Sequence, residues 1–147
     1  MSAERLYTPE LLGLAVDLAD FPPMETLPLH GEVRSPTCGS TLAIDLSTDE
    51  AGCIAQIGMR VRTCAVGQAA ASLFARNAAG RDLAHLAAAH DHLAAWLEGE
   101  FSIADPAEIW PGLSQLAPAR NYAARHPAML LPWKAAILAL SITPSAS

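Results

Sequence analysis

Cys38 and Cys64 are the residues of this sequence best suited to chemistry. Cys38 lies within residues 35–40, where a proline and a glycine predict a turn. Cys64 follows a segment with alternating apolar residues and precedes an alanine-rich segment, so we expect it where a strand ends and a helix begins. Thiols on loops are accessible to solvent, metal ions and partner molecules. We therefore expect both cysteines on a shared reactive rim.

The predicted surroundings of Cys64 favour its thiolate form. The first turn of a helix presents free N–H groups and a positive dipole potential, and Arg60 and Arg62 lie close in sequence. The thiolate is the nucleophilic and metal-binding form of cysteine. Neither Cys38 nor Cys64 has C-x-x-C spacing, so spacing alone leaves open that both are inert apolar residues. Cys53 falls on the apolar face of a predicted strand, and we expect it in the core.

The spacing of apolar residues divides the chain into helices and strands. Helical spacing predicts helices over residues 7–19, 64–77, 83–98 and 129–140. Alternation predicts strands over residues 31–35, 41–46 and 53–61. Thr63 and Asp82 are predicted helix caps, and Pro132 is predicted to bend the last helix. The sequence therefore predicts one α+β domain over residues 1–147, with helices packed on one face of a small three-stranded antiparallel sheet.

Composition argues against several classes of function. The chain has 147 residues, of which 52% are hydrophobic, and its 15 acidic and 9 basic residues give a net charge of −6. Such a chain is a poor candidate for binding nucleic acid or anionic lipid. No apolar stretch reaches the roughly 18–20 residues that span a bilayer, and the N-terminus lacks a secretory pattern. Its three cysteines do not form a disulfide framework, so we expect a cytoplasmic protein with free thiols.

Four segments, in order, resemble the iron–sulfur scaffold family that includes IscU, the NifU N-terminal domain and SufU. Residues 36–40, P-T-C-G-S, resemble the family's N-P-x-C-G-D turn, and residues 62–67, R-T-C-A-V-G, resemble its G-x-G-C helix start. Residues 80–81 match a G-K/R pair, and residues 125–135, R-H-P-A-M-L-L-P-W-K-A, resemble the SufU segment R-x-x-C-A-x-L-x-W-K-A. The resemblance covers residues 6–140. It implies a SufE/NifU-like fold and a non-enzymatic role in cluster assembly, with a cysteine desulfurase and other cluster-assembly proteins as partners.

The resemblance implies that Cys38 and Cys64 bind iron, zinc or a [2Fe–2S] cluster, but it leaves the ligand set incomplete. The family's aspartate falls on Ser40, its third cysteine on Ala128, and a glycine before the second cysteine on Arg62. Zinc, or one iron of a cluster, needs about four donors.

Two sources of further donors are open. His126 is a candidate ligand, because imidazole suits zinc and iron, although a histidine that faces solvent is the more frequent case. Alternatively, a homodimer in which each subunit contributes Cys38 and Cys64 would supply four thiolates to one cluster.

Three functions are compatible with these observations. The first is a scaffold or carrier that accepts sulfur on Cys38 or Cys64 and holds metal with the help of a partner. The second is a degenerate relative that keeps the fold and acts without a cluster, as a binding or regulatory partner. The third is a thiol enzyme, which we disfavour because the sequence has no H-E-x-x-H, G-x-S-x-G or phosphate-loop motif. We favour the first.

Overall fold

The computed structural model of the chain describes residues 6–36, 39–99 and 108–141. Within these residues the α-helices are α1 (Pro9–Asp17), α2 (Ala65–Arg76), α3 (Leu83–Leu97) and α4 (His126–Ser141). The strands are β1 (Leu29–Arg34), β2 (Thr41–Thr48) and β3 (Ile54–Arg62). Shorter 3-10 segments occupy Leu18–Asp20, Leu113–Asn121 and Ala123–Arg125. The predicted α+β order, a helix followed by a three-stranded meander and further helices, is confirmed.

The sheet is antiparallel, in the order β1–β2–β3. The β2 side chains of Leu42, Ile44 and Leu46 are buried on one face, as predicted, because alternate residues of a strand share a face. Helix α4 packs on this face against β1 and β2. The contact is closest at Gly31, where a β-carbon would overlap the backbone oxygen of Ala135. Glycine is therefore what allows α4 to lie directly on the strand.

The structure of strand β3 shows that the prediction of a core position for Cys53 is wrong. This residue is half-buried and lies just before the strand, outside the core. The β2–β3 register shifts next to Ser47, and Ala55 has no partner in the described β2–β3 ladder. An extra residue of this kind is a β-bulge, which reverses the alternation of side chains. Ile54 is consequently buried in place of Cys53.

The helix ends agree with prediction to within a few residues, with two corrections. Asp82 caps α3 as predicted, because its side chain accepts a hydrogen bond from the backbone N–H of His85 at 3.0 Å. The N-cap of α2, however, is Cys64 and not Thr63. Helix α4 begins at His126, earlier than predicted, and continues through Pro132. In the described parts of the chain, each helix is too short or too polar to span a membrane.

An aromatic cluster joins α2, α4 and the segment before Leu113. Phe74 stacks on Trp110 with ring centroids 5.3 Å apart, and Trp133 meets each of these rings edge-on at 5.2 Å. The indole Nε1–H of Trp110 also donates a hydrogen bond to the Leu73 carbonyl at 3.1 Å. Aromatic pairs in these geometries contribute beyond their buried area. The cluster thus holds α2 and α4 in a fixed relation to each other.

We expect Gly31→Ala to lower the free energy of unfolding by about 1–3 kcal/mol, because the added methyl group pushes α4 away from β1. Gly13→Ala is the matched control. No atom lies within 4 Å of a β-carbon at that position in α1, so alanine should stabilise the helix by about 0.5–1 kcal/mol. Chemical denaturation of both variants measures the difference. Equal stabilities would contradict the close packing of α4 on the sheet.

Candidate functional site

A cleft of about 220 Å³ opens where β3 meets α2. Three parts of the chain form it: the β1–β2 turn, the β3–α2 junction and the start of α4. Its lining residues are Gly39, Ser40, Arg62, Thr63, Cys64, Ala124, Arg125 and Ala128. The structure thus brings Cys64 together with Ser40 and Ala128. At these two positions the resemblance to the scaffold family places an aspartate and a cysteine that this chain lacks.

The β1–β2 turn is closed by its own backbone. The N–H of Ser35 donates to the carbonyl of Ser40 at 2.8 Å, and the N–H of Gly39 donates to the carbonyl of Ser35 at 3.1 Å. Gly39 has a φ of 72°, a left-handed conformation that glycine adopts without strain. Cys38, the first predicted site residue, lies outside the described residues. Its neighbour Gly39 lines the cleft.

Cys64 lies between β3 and α2, as predicted. The hydroxyl groups of Thr63 and Ser40 form a hydrogen-bonded chain that ends at the Cys64 sulfur. The Thr63 hydroxyl donates a hydrogen bond to the Cys64 sulfur, with 3.9 Å between Oγ1 and Sγ. The same Oγ1 lies 2.8 Å from Oγ of Ser40. Either hydroxyl can donate in this second hydrogen bond, and Ser40 is the donor when the single Thr63 proton points to the sulfur. In that arrangement both hydroxyl dipoles are aligned toward the Cys64 sulfur.

Because Gly67 has no side chain, the Thr63 side chain can occupy the position in which it contacts Cys64 and Ser40. A β-carbon at position 67 would overlap Oγ1 and Cγ2 of Thr63. Gln68 fixes the same junction, since its Nε2 donates to the Thr63 carbonyl at 3.1 Å. The sequence predicts that Thr63 caps a helix, and it predicts no structural role for Gly67. A glycine inside an alanine-rich helix is the signal that indicates such a close contact.

Two arginines give the cleft a positive potential. Arg62 is exposed at the end of β3, and Arg125 is half-buried with its Nη2 3.5 Å from Oη of Tyr7. Ala128 is 1% exposed and contributes only its methyl group to the wall. Arg125 opens the SufU-like segment, but its residue type and position alone predict no role for it. The structure places it beside Cys64 in the cleft lining.

The cleft does not assemble a metal site from the residues that the structure describes. Among them, no group of three or more His, Cys, Asp or Glu side chains could hold an ion. Cys64 contributes one thiol, Ser40 and Ala128 are not charged donors, and arginine side chains disfavour a nearby cation. Zinc, or the iron of a cluster, would need about four donors. A resident metal in one chain therefore does not fit this part of the cleft.

His126 lines a different cleft from Cys64. Its Nε2 donates to the Arg120 carbonyl at 3.0 Å, and the residue lines another cleft together with Glu98 and Lys134. The hydrogen bond occupies one of the two ring nitrogens that could bind a metal. The structure does not bring His126 and Cys64 into one site.

Cys53 lies at the other end of β3 from the cleft. Burial, together with the negative charges of Asp49 and Asp82, raises the pKa of the Cys53 thiol. A raised pKa lowers the thiolate fraction at neutral pH, and the thiolate is the reactive form. Cys53 is therefore a poor nucleophile and a useful internal reference for Cys64.

Structural comparison supports the resemblance inferred from the sequence. Neither a protein-family model nor a curated protein sequence matches the chain. The N-terminal domain of a nitrogen-fixing NifU-like protein from Brucella abortus matches with a TM-score of 0.83 and 26% identity, over 96% of both chains. A protein from Fervidobacterium islandicum AW-1, described as an iron–sulfur cluster assembly scaffold for the SUF system, matches with a TM-score of 0.78. Its identity is 20%, over 92% of this chain and 96% of that one.

These matches cover nearly the whole chain. The three-stranded antiparallel sheet with its helices is the fold of the NifU-like neighbour. The fold and its coverage support the resemblance to the IscU/NifU/SufU-like scaffold family, from which this chain diverges with Ser40 and Ala128 at two of the usual ligand positions.

Proposed function

We propose that this protein is an iron–sulfur cluster assembly scaffold-like protein that accepts sulfur on Cys64, together with Cys38. The observation that carries the proposal is a half-buried thiol at the N-cap of α2, in a cleft with two arginines and a hydroxyl donor. We expect a cysteine desulfurase and other cluster-assembly proteins as partners. We also expect the protein to act in the cytoplasm, where thiols stay reduced.

Sulfur acceptance requires one nucleophilic thiolate and no bound metal. The Cys64 thiolate attacks the outer sulfur of a persulfide on the donor protein. The donor S–S bond breaks, its inner sulfur leaves as a thiolate, and Cys64 becomes a persulfide, so that atoms and electrons balance. The Thr63 hydroxyl, 3.9 Å from the Cys64 sulfur, stabilises negative charge on the attacking atom. Arg62 and Arg125 favour the anionic persulfide by their positive charge.

Iron, zinc or a [2Fe–2S] cluster would be cargo that needs donors beyond this cleft. Cys38 and Cys64 of two subunits would supply four thiolates, and side chains of a partner are the other source. A second candidate function is a cluster-free binding or regulatory partner of the assembly machinery. The neutral side chains of Ser40 and Ala128 and the arginines beside them favour it. A measurement of sulfur acceptance distinguishes the scaffold-like protein, which accepts sulfur, from the binding or regulatory partner, which does not need to.

We expect Cys64→Ser to remove the sulfur added at position 64, and Cys38→Ser/Cys64→Ser to reduce total sulfur acceptance by more than about tenfold, because serine is not a nucleophile toward persulfides at neutral pH. The protein is incubated anaerobically with a desulfurase and cysteine, and added sulfur is measured by cyanolysis and intact-protein mass spectrometry.

Cys53→Ser is the matched control. It should accept sulfur like the unmodified protein, because the raised pKa of Cys53 keeps that thiol protonated. Equal acceptance by the Cys38→Ser/Cys64→Ser and unmodified proteins would show that neither cysteine is the acceptor.

We expect the double variant Ser40→Asp/Ala128→Cys to bind zinc more than about tenfold more tightly than the unmodified protein. The two introduced side chains, with Cys38 and Cys64, bring the number of donors to four. Both positions line the Cys64 cleft, and cysteine is only slightly larger than alanine. Competition with a chromophoric zinc chelator measures the affinity. Adding Cys64→Ser to the double variant should remove the gain. If the double variant gains no affinity, the cleft is not the equivalent of the family's ligand site.

A further inference from the structure

Three arginines cluster on the outer face of the sheet, opposite α4. Two rows of residues cross the three strands there, Arg34–Thr41–Arg62 and Glu32–Ala43–Arg60. They line a cleft of about 420 Å³, and its lining residues are Glu32, Arg34, Gly39, Thr41, Ala43, Arg60 and Arg62. We call Arg34, Arg60 and Arg62, with the cleft between them, the arginine face.

In the arginine face, the central strand β2 carries short side chains and the outer strands β1 and β3 carry charged ones. Thr41 and Ala43 on the central strand have short side chains, whereas Arg34 and Arg62 flank Thr41 from the outer strands. Neighbouring strands are about 4.8 Å apart, so the backbones that carry Arg34 and Arg62 are about 10 Å apart. Arg60 lies about 7 Å from Arg62 along β3. These spacings suit one extended peptide segment lying in the cleft.

The positive charge of this face is only partly neutralised within the described chain. The protein carries a net charge of −6, yet three of its 9 basic residues lie here. Elsewhere Arg76 pairs with a carboxylate, and Arg81 and Arg120 stack on tryptophan rings. The side chains of Arg34 and Arg62 make no hydrogen bond or ion pair with any residue that the structure describes. Like charges this close repel each other unless an anion from outside compensates them.

Arg60 is available to an external carboxylate as well. Its guanidinium lies 2.9 Å from the Glu25 carboxylate, but the two side chains are 55% and 73% exposed. Exposed ion pairs contribute little to stability, so this pair exchanges at small cost. Glu32 is the one carboxylate among the cleft-lining residues. The cleft therefore keeps an excess of positive charge.

We propose that the arginine face docks an acidic, extended segment of a partner protein. Guanidinium groups bind carboxylates through paired hydrogen bonds, and alternate residues of an extended segment match the spacing along β3. A long polyanion such as nucleic acid is disfavoured by the net charge of −6, whereas a short segment meets only the local potential. The occupant is therefore a peptide with alternating carboxylates.

The arginine face adjoins the Cys64 cleft, because Gly39 and Arg62 line both. A partner whose acidic segment docks there brings its neighbouring residues next to Cys64. That this partner exchanges sulfur with Cys64 rests on the proposed function. The docking itself rests only on the arginine face, so the two can fail separately.

The test uses a short fluorescent peptide with glutamate at alternate positions, and a counterpart with glutamine, in anisotropy titrations at low salt. We expect the acidic peptide alone to bind, and Arg34→Gln/Arg62→Gln to weaken binding about three- to tenfold. Arg76→Gln is the control, because its partner Asp17 lies in α1 and not in the arginine face. Cys64→Ser should bind the acidic peptide as the unmodified protein does.

Three outcomes would overturn the proposal. The first is no binding, or equal binding of the acidic and neutral peptides. The second is equal weakening by the Arg34→Gln/Arg62→Gln and Arg76→Gln changes. The third is tighter binding of a labelled oligothymidylate than of the acidic peptide, which would identify a nucleic-acid surface. Sulfur acceptance on Cys64 without peptide binding would leave the proposed function standing and remove the docking inference alone.

Discussion

The direct contact of α4 with β1 is the constraint on which the geometry of the cleft depends. Gly31 has no side chain, so the backbone of α4 at Ala135 lies on the strand itself. The edge-to-face contact of Phe74 with Trp133 then holds α2 beside α4. With both helices held in this way, their first turns meet at one end of the sheet. Cys64 and Ala128 therefore face one cleft although they are distant in sequence.

The side chains in that cleft suit an anion better than a cation. An aspartate and a third cysteine would add negative charge, whereas Ser40 and Ala128 add none. Arg62 and Arg125 add positive charge, and the hydroxyl chain that ends at Cys64 can point its dipoles toward the sulfur. Both features oppose a cation and suit a negative charge in this cleft. A thiolate that becomes a persulfide carries such a charge, which is why sulfur acceptance fits this chain better than a resident metal.

Much of the fold could be predicted from the sequence, because alternation and helical spacing directly reflect which face of each element is buried. The prediction for Cys53 was wrong, since the bulge at Ala55 reverses the alternation and buries Ile54, the apolar residue that departs from the regular pattern. The hydroxyl chain could not be predicted either. Thr63 meets Ser40 only after the β1–β2 turn folds back against the end of β3. Such contacts depend on packing between distant segments, which spacing along the chain does not describe.

Arg62 connects the electrostatics of the two clefts. It is the last residue of β3, and it lines both the Cys64 cleft and the arginine face. The resemblance places a glycine at this position, so an arginine here adds charge to both clefts at once. On one side the charge opposes a metal cation, and on the other it attracts carboxylates. Arg62 thus adds positive potential both beside the incomplete ligand set and in the arginine face of a protein whose net charge is −6.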